Sequence, residues 1–179
     1  VPDKPRTIPE FAADARAVMD ALGWDKARIF GASMGTMIAL QLALDAPERV
    51  RCLVMIGTYC GWPSMRDAAD AEWLAGLEGI EKGAALQADD PAAAARLFIE
   101  AALDDSTSEF HDAWREQVEA VIRELPTRLP PIVLGEGEGI ADWCVLDRLG
   151  EIAAPTLMFH GANDRLLPAE GVFEATRRM

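Results

Sequence analysis

The sequence predicts an α/β fold in which a parallel sheet is flanked by helices and interrupted by a helical insertion. Three observations carry this. Residues 8–57 alternate in the order helix, strand, helix, strand, and strands joined by helical crossovers pair in parallel. Strand character returns only near the end, in APTLMFHG (154–161). Between the two, residues 65–149 contain no convincing strand.

The opening VPDKPRT is a polar, proline-rich loop, and TIPEFAADARAVMDALG reads as a helix. Thr7 and Glu10 have capping-box spacing, which satisfies exposed amides at a helix start. Ile8, Phe11, Ala15, Val18, Met19 and Leu22 recur at helical period, and Gly23 supplies the stop. ARIF (27–30) is short, apolar and bounded by turn signals, so it reads as a buried strand. SMGTMIALQLALDA (33–46) is apolar nearly all round, as expected for a helix pressed against a sheet. RCLVMIG (51–57) is a second buried strand.

After Gly61 the pattern becomes helical. Residues 67–82, 91–103 and 108–125 are expected helices, the second opened by Asp89-Asp90 with proline in its first turn. The third carries Phe110, Trp114, Val118, Val121, Ile122 and Leu125 on one stripe, the signature of core packing. GEGEG (135–139) follows no strand and opens no helix, which argues against a phosphate cradle. A last helix is expected from about Ala169. The expected domains are therefore a core segment over 1–64, a helical cap over 65–149, and a second core segment over 150–179.

The chain has 179 residues, half of them hydrophobic, enough for one domain with a sizeable core. Its formal net charge of -13 disfavours nucleic-acid partners. No apolar run is long enough to span a membrane. The three cysteines, Cys52, Cys60 and Cys144, lack metal-ligand spacing and read as reduced thiols of a cytoplasmic protein. No cofactor or metal site is expected.

One stretch carries chemistry. In IFGASMGTMIAL, Ser33 stands between Gly31 and Gly35, after the first strand and before the apolar helix. A nucleophilic serine must stand clear of its backbone beside an oxyanion donor, and a sharp strand–turn–helix elbow with small neighbours provides both. The Met34 N–H, at the helix N-terminus, is the expected oxyanion donor.

With these residues in view, the sequence resembles the α/β-hydrolase superfamily, serine esterases, lactonases and related enzymes with a helical cap. MDALGWDKARIFGASMGTMIALQLALDAPERVRCLVMIGT is similar to the family's helix–strand–elbow–helix–strand core, and APTLMFHGANDRLLP to the strand and loop bearing the triad acid. The resemblance implies Ser33 as nucleophile, Met34 as one oxyanion donor and Asp164, after Gly161-Ala162-Asn163, as the acid that orients a histidine. It also implies the chain order serine, acid, histidine. The two histidines, His111 and His160, both precede Asp164, and neither fits the base. The base is therefore expected beyond Met179. The chain is expected to be a piece of a longer protein cut at both ends and inactive by itself, because a serine hydroxyl without its base is a poor nucleophile.

The implied substrate is a small carboxylic ester or lactone cleaved through an acyl-enzyme, with a carbon–carbon bond hydrolase as a neighbour in the same class. A hydrolase-like binding module without turnover is the contrasting reading. Trp62, Met65, Trp73 and Trp143 fall near expected sheet–cap junctions, where they either line an apolar acyl site or pack as core.

Overall fold

A computed structural model describes residues 6–61, 143–162, 164 and 167–179, together with 82, 86, 90, 93–94, 96–97, 116–117 and 120. The chain packs as two compact units, one of Pro2–Ala68, Gly137–Ala162 and Leu167–Met179, the other chiefly of Ala69–Glu136 and Asn163–Leu166.

In the first unit, α1 spans Ile8–Ala21. Its capping box forms as the local sequence requires. The Thr7 N–H donates to Glu10 Oε2 at 2.7 Å, and the Glu10 N–H donates back to Thr7 Oγ1 at 3.4 Å. The helix ends at Leu22, and Gly23 takes φ +67°, a conformation that costs glycine little. The buried face is Ile8, Ala12 and Met19. Val18 and Leu22, expected on that stripe, are 57% and 55% exposed. The buried row advances through i, i+4 and i+11, and alanine at its centre lets α1 lie close to α2.

β1 runs Ala27–Ala32, two residues beyond the expected ARIF, so the strand itself delivers the chain to Ser33. α2 spans Met34–Asp45, and Thr36, Met37, Ala39, Leu40, Gln41, Leu42 and Ala43 are all buried, as its apolar circumference requires. A 3₁₀ turn, Pro47–Arg49, leads into β2, Val50–Ile56. Arg49 ties this turn to the end of α1. It donates to Asp20 Oδ1 at 2.6 Å, the Asp25 carbonyl at 2.8 Å and the Trp24 carbonyl at 3.0 Å. Further along, a 3₁₀ segment Leu146–Glu151 precedes β3, Thr156–Phe159, and α3 covers Ala169–Arg178. Arg178 Nη1 meets Asp147 Oδ1 at 2.6 Å, linking α3 to the 3₁₀ segment.

The three strands form a parallel sheet with β2 in the middle. Phe30 pairs with Val54 and Val54 with Leu157, and Ala32 pairs with Ile56 and Ile56 with Phe159. Leu53 and Met55 are fully buried on the face that meets α2. The strands are not buried on both faces, as the sequence suggested. Phe30 (65% exposed), Ile56, Leu157 and Phe159 stand on the other face, open to solvent. Alternating side chains point to opposite faces, and the described helices cover only one of them.

The expected helices over 67–82, 91–103 and 108–125 and the GEGEG turn lie largely or wholly outside the described residues. The positions described within them, Lys82, Ala93, Ala94, Arg96, Leu97, Glu116, Gln117 and Ala120, are helical, as is Leu86, which lies between the first two. Asp90 caps as expected, accepting from the Ala93 N–H at 3.0 Å through Oδ1. No described helix is long and apolar enough to cross a membrane.

Candidate active site

Ser33 joins β1 to α2, where the chain must turn sharply between a strand and a helix packed on it. Its dihedrals are φ 51° and ψ -124°, and it is the only described non-glycine residue with positive φ. Such a conformation costs on the order of 1–3 kcal/mol and persists only where its surroundings over-determine it. Here they do. The Ser33 N–H donates to the Ile56 carbonyl at 3.0 Å, and the Ser33 carbonyl accepts from the Thr36 N–H at 2.8 Å and from Thr36 Oγ1 at 2.7 Å.

The side chain is exposed. A serine in this N-cap position ordinarily accepts from a first-turn amide, but Ser33 makes no such side-chain cap bond. Its hydroxyl is held out from the backbone it would otherwise cap. Met34 opens α2, so its N–H belongs to the first turn, where amides lack intrahelical acceptors and the positive end of the helix dipole lies.

The two flanking glycines are not equivalent. A Cβ on Gly31 would lie 2.5 Å from the Gly35 carbonyl oxygen and 3.0 Å from the Thr36 nitrogen, so β1 and α2 touch here through bare backbone. A Cβ on Gly35 would meet nothing within 4 Å. The expectation that both glycines are needed as small neighbours is corrected to Gly31 alone.

Asp164 is half-buried in the loop between β3 and α3. It belongs to the other compact unit from Ser33, and the pairing of the two as nucleophile and acid rests on motif order in the sequence. His160, at the end of β3, bonds through Nε2 to the Leu167 carbonyl at 2.6 Å. A carbonyl only accepts, so Nε2 carries a hydrogen, and Nδ1 is buried with no hydrogen-bond partner among the described residues. His160 is thus committed to a bond that joins the end of β3 to Leu167. His111 lies outside the described residues, as do Trp62, Met65 and Trp73.

Trp143 is buried, and its indole N–H donates to Gln41 Oε1 at 2.8 Å. That bond satisfies two buried polar groups and gives Trp143 a core-packing role. Nearby, Gly61 and Cys144 form an isolated antiparallel bridge. Burial, reinforced by Cys144, pushes the Cys60 thiol from 9.0 up to about 12. It stays protonated and unreactive at neutral pH. Unfolding releases this constraint, so the Cys60 contribution to stability declines as pH rises from about 9 to about 12. Among the described residues no group of three or more His, Cys, Asp or Glu side chains is arranged to hold a metal ion.

Sequence reasoning passed over Thr36. The available signal was a polar residue among the apolar ones in the first turn of α2, three positions after the serine.

A parallel sheet with a strained serine between strand and helix defines a fold class, and comparison with known proteins identifies it. The alpha/beta hydrolase fold family matches residues 3–177, and the chain belongs to that family. It is 32% identical over 160 residues to the 2-hydroxy-6-oxo-6-phenylhexa-2,4-dienoate hydrolase of Comamonas testosteroni, covering 88% of this chain and 54% of that protein. It is also 32% identical over 160 residues to the pimeloyl-[acyl-carrier protein] methyl ester esterase of Aromatoleum aromaticum, covering 86% of this chain and 62% of that one. The chain therefore spans little more than half the length of these relatives. Among solved structures it resembles Est816, described as an N-acyl homoserine lactone degrading enzyme, with a TM-score of 0.71 and 26% identity over 99% of this chain and 65% of that one. These relatives are hydrolases, and they include both ester-cleaving and dienoate-cleaving enzymes.

Proposed function

We propose that the protein is a serine hydrolase that cleaves a small carboxylic ester or lactone through an acyl-enzyme. The observation that carries this reading is the exposed Ser33, held at φ 51° without capping the helix it precedes. In this reading Ser33 Oγ attacks the substrate carbonyl and the Met34 N–H receives the developing oxyanion. Asp164 holds the general-base imidazole in its productive tautomer and stabilises the imidazolium that forms. The imidazolium returns the serine's proton to the leaving alkoxy oxygen as the carbon–oxygen bond breaks, and water, activated by the same imidazole, then clears the acyl group. The reading assigns the base to neither His111 nor His160. The similarity to the esterase of Aromatoleum aromaticum supports the ester substrate. A small-molecule partner suffices, and no metal or cofactor enters the chemistry.

A second reading, cleavage of a carbon–carbon bond beside a ketone, is favoured by the similarity to the Comamonas testosteroni enzyme. Both begin with a nucleophile or activated water at a carbonyl, so the elbow alone does not divide them. Steady-state assays of the full-length protein with a chromogenic ester, a small lactone and a 2-hydroxy-6-oxo-dienoate do. Turnover of the ester or lactone, abolished by Ser33→Ala in a protein that still folds, is the expected result. Turnover of the dienoate alone selects the second reading. A stable, well-folded protein inert toward all three supports the binding module instead.

A further inference from the structure

The residue that holds the elbow is not in its sequence motif. Thr36 is fully buried, with 0% of its surface exposed, inside a helix whose other buried positions are apolar except Gln41. A buried hydroxyl must both donate and accept to be satisfied. Thr36 Oγ1 donates to the Ser33 carbonyl at 2.7 Å. It accepts from the Tyr59 N–H at 3.3 Å, in the segment that follows β2. The backbone N–H of the same residue donates to the same Ser33 carbonyl at 2.8 Å. One buried threonine therefore clamps the strained serine twice and ties it to the chain leaving the central strand.

From this geometry we propose that Thr36 is a positioning residue for Ser33, setting the nucleophile's reach through its hydroxyl rather than its bulk. The proposal rests on Ser33 being the nucleophile. A Ser33 in the left-handed region gains no help from intrinsic preference. Its orientation is fixed by what holds its N–H and its carbonyl. The N–H is held by the Ile56 carbonyl of β2. The carbonyl is held by Thr36 alone among the hydrogen bonds described. Removing the hydroxyl leaves the carbonyl with only the weaker i+3 backbone bond and takes the acceptor from the buried Tyr59 N–H. The elbow then relaxes toward ordinary dihedrals, and Ser33 Oγ moves with it.

The test compares Thr36→Ser, Thr36→Ala and Thr36→Val in the full-length protein. Serine keeps the hydroxyl and loses a methyl, alanine loses both, and valine keeps the bulk. A displacement of about 1 Å at a reacting group costs on the order of 100-fold in rate. Thr36→Val and Thr36→Ala are thus expected to lower kcat by roughly 10- to 100-fold with KM within about two-fold, and Thr36→Ser to stay within about three-fold of the parent. Amide hydrogen exchange supplies a readout independent of turnover. The Thr36 and Tyr59 amides should exchange faster in the valine and alanine variants and at the parental rate in the serine variant. Equal kcat in the serine and alanine variants, or unchanged exchange at both amides, overturns the proposal. The serine–alanine pair decides the matter even where valine prevents folding. Ser33→Ala serves as the control. If that variant retains turnover, the nucleophile assignment fails, while the exchange result still decides whether Thr36 clamps the elbow.

Discussion

The turn after β1 and the loop after β3 carry the two side chains assigned to chemistry, and they are held in different ways. In the elbow, both backbone polar groups of Ser33 are held. Ser33 is bonded on one side to Ile56 of β2 and on the other to Thr36 of α2, and Gly31 lets the helix rest on the strand. Among the described hydrogen bonds, the loop's two ends are joined by His160, which reaches the Leu167 carbonyl across seven residues. A strained nucleophile needs many restraints because its conformation is intrinsically unfavourable. A carboxylate that orients an imidazole needs correct placement but no backbone strain. The two regions should therefore respond differently to substitution.

Leaving the nucleophile itself aside, the largest expected effect lies in the loop. Asp164→Asn should lower kcat by about 10⁴-fold in the full-length protein, because the amide holds the imidazole in the wrong tautomer. Turnover equal to the parent would move the acid elsewhere and leave the elbow as the only assigned half of the site.

The next effect separates the two glycines. Gly31→Ala forces a methyl against the Gly35 carbonyl and the Thr36 nitrogen, and overpacking of this kind costs about 1–3 kcal/mol. Gly35→Ala meets nothing within 4 Å and should leave stability unchanged or raise it by up to about 1 kcal/mol, the helical preference of alanine over glycine. Chemical denaturation measures both. A Gly35→Ala variant as damaged as Gly31→Ala would contradict the close approach described here.

The smallest effect tests the loop's foot. His160→Leu removes one hydrogen bond worth about 0.5–1.5 kcal/mol. The amides of Ala162, Asp164 and Leu167 should exchange roughly 10-fold faster while the elbow's amides keep their parental rates. Faster exchange at both places would mean that the two regions are one cooperative unit, erasing the comparison.

What the sequence revealed of each region follows the range of its interactions. The capping box of α1 is local, Thr7 to Glu10, and was legible in full. The elbow was legible because strand, serine, glycine and helix are contiguous. Even so, the strand end was placed at Phe30 instead of Ala32, since Gly31 reads as a turn. Val18 and Leu22 were read into the buried stripe because hydrophobicity marks Leu and Val more strongly than Ala12, the residue actually buried. The Trp143–Gln41 bond joins positions 102 apart, and no local pattern announces it. Thr36 was overlooked for a related reason. Its role depends on Tyr59, in the segment that follows β2, and a single threonine in an apolar helix gives no sign of what it reaches. Asp164 is assigned as the acid by family resemblance alone, since an aspartate after a strand also serves simply as a turn residue.

The central claim is that Ser33 is an activated nucleophile, and covalent capture tests it most directly. The full-length protein and its Ser33→Ala variant are treated with a fluorophosphonate and digested, and the adducts are located by mass spectrometry. A single stoichiometric adduct is expected on Ser33, formed together with loss of turnover, and none on the variant. An inactivated protein whose adduct lies on another residue, or an active protein left unlabelled at Ser33, would contradict it.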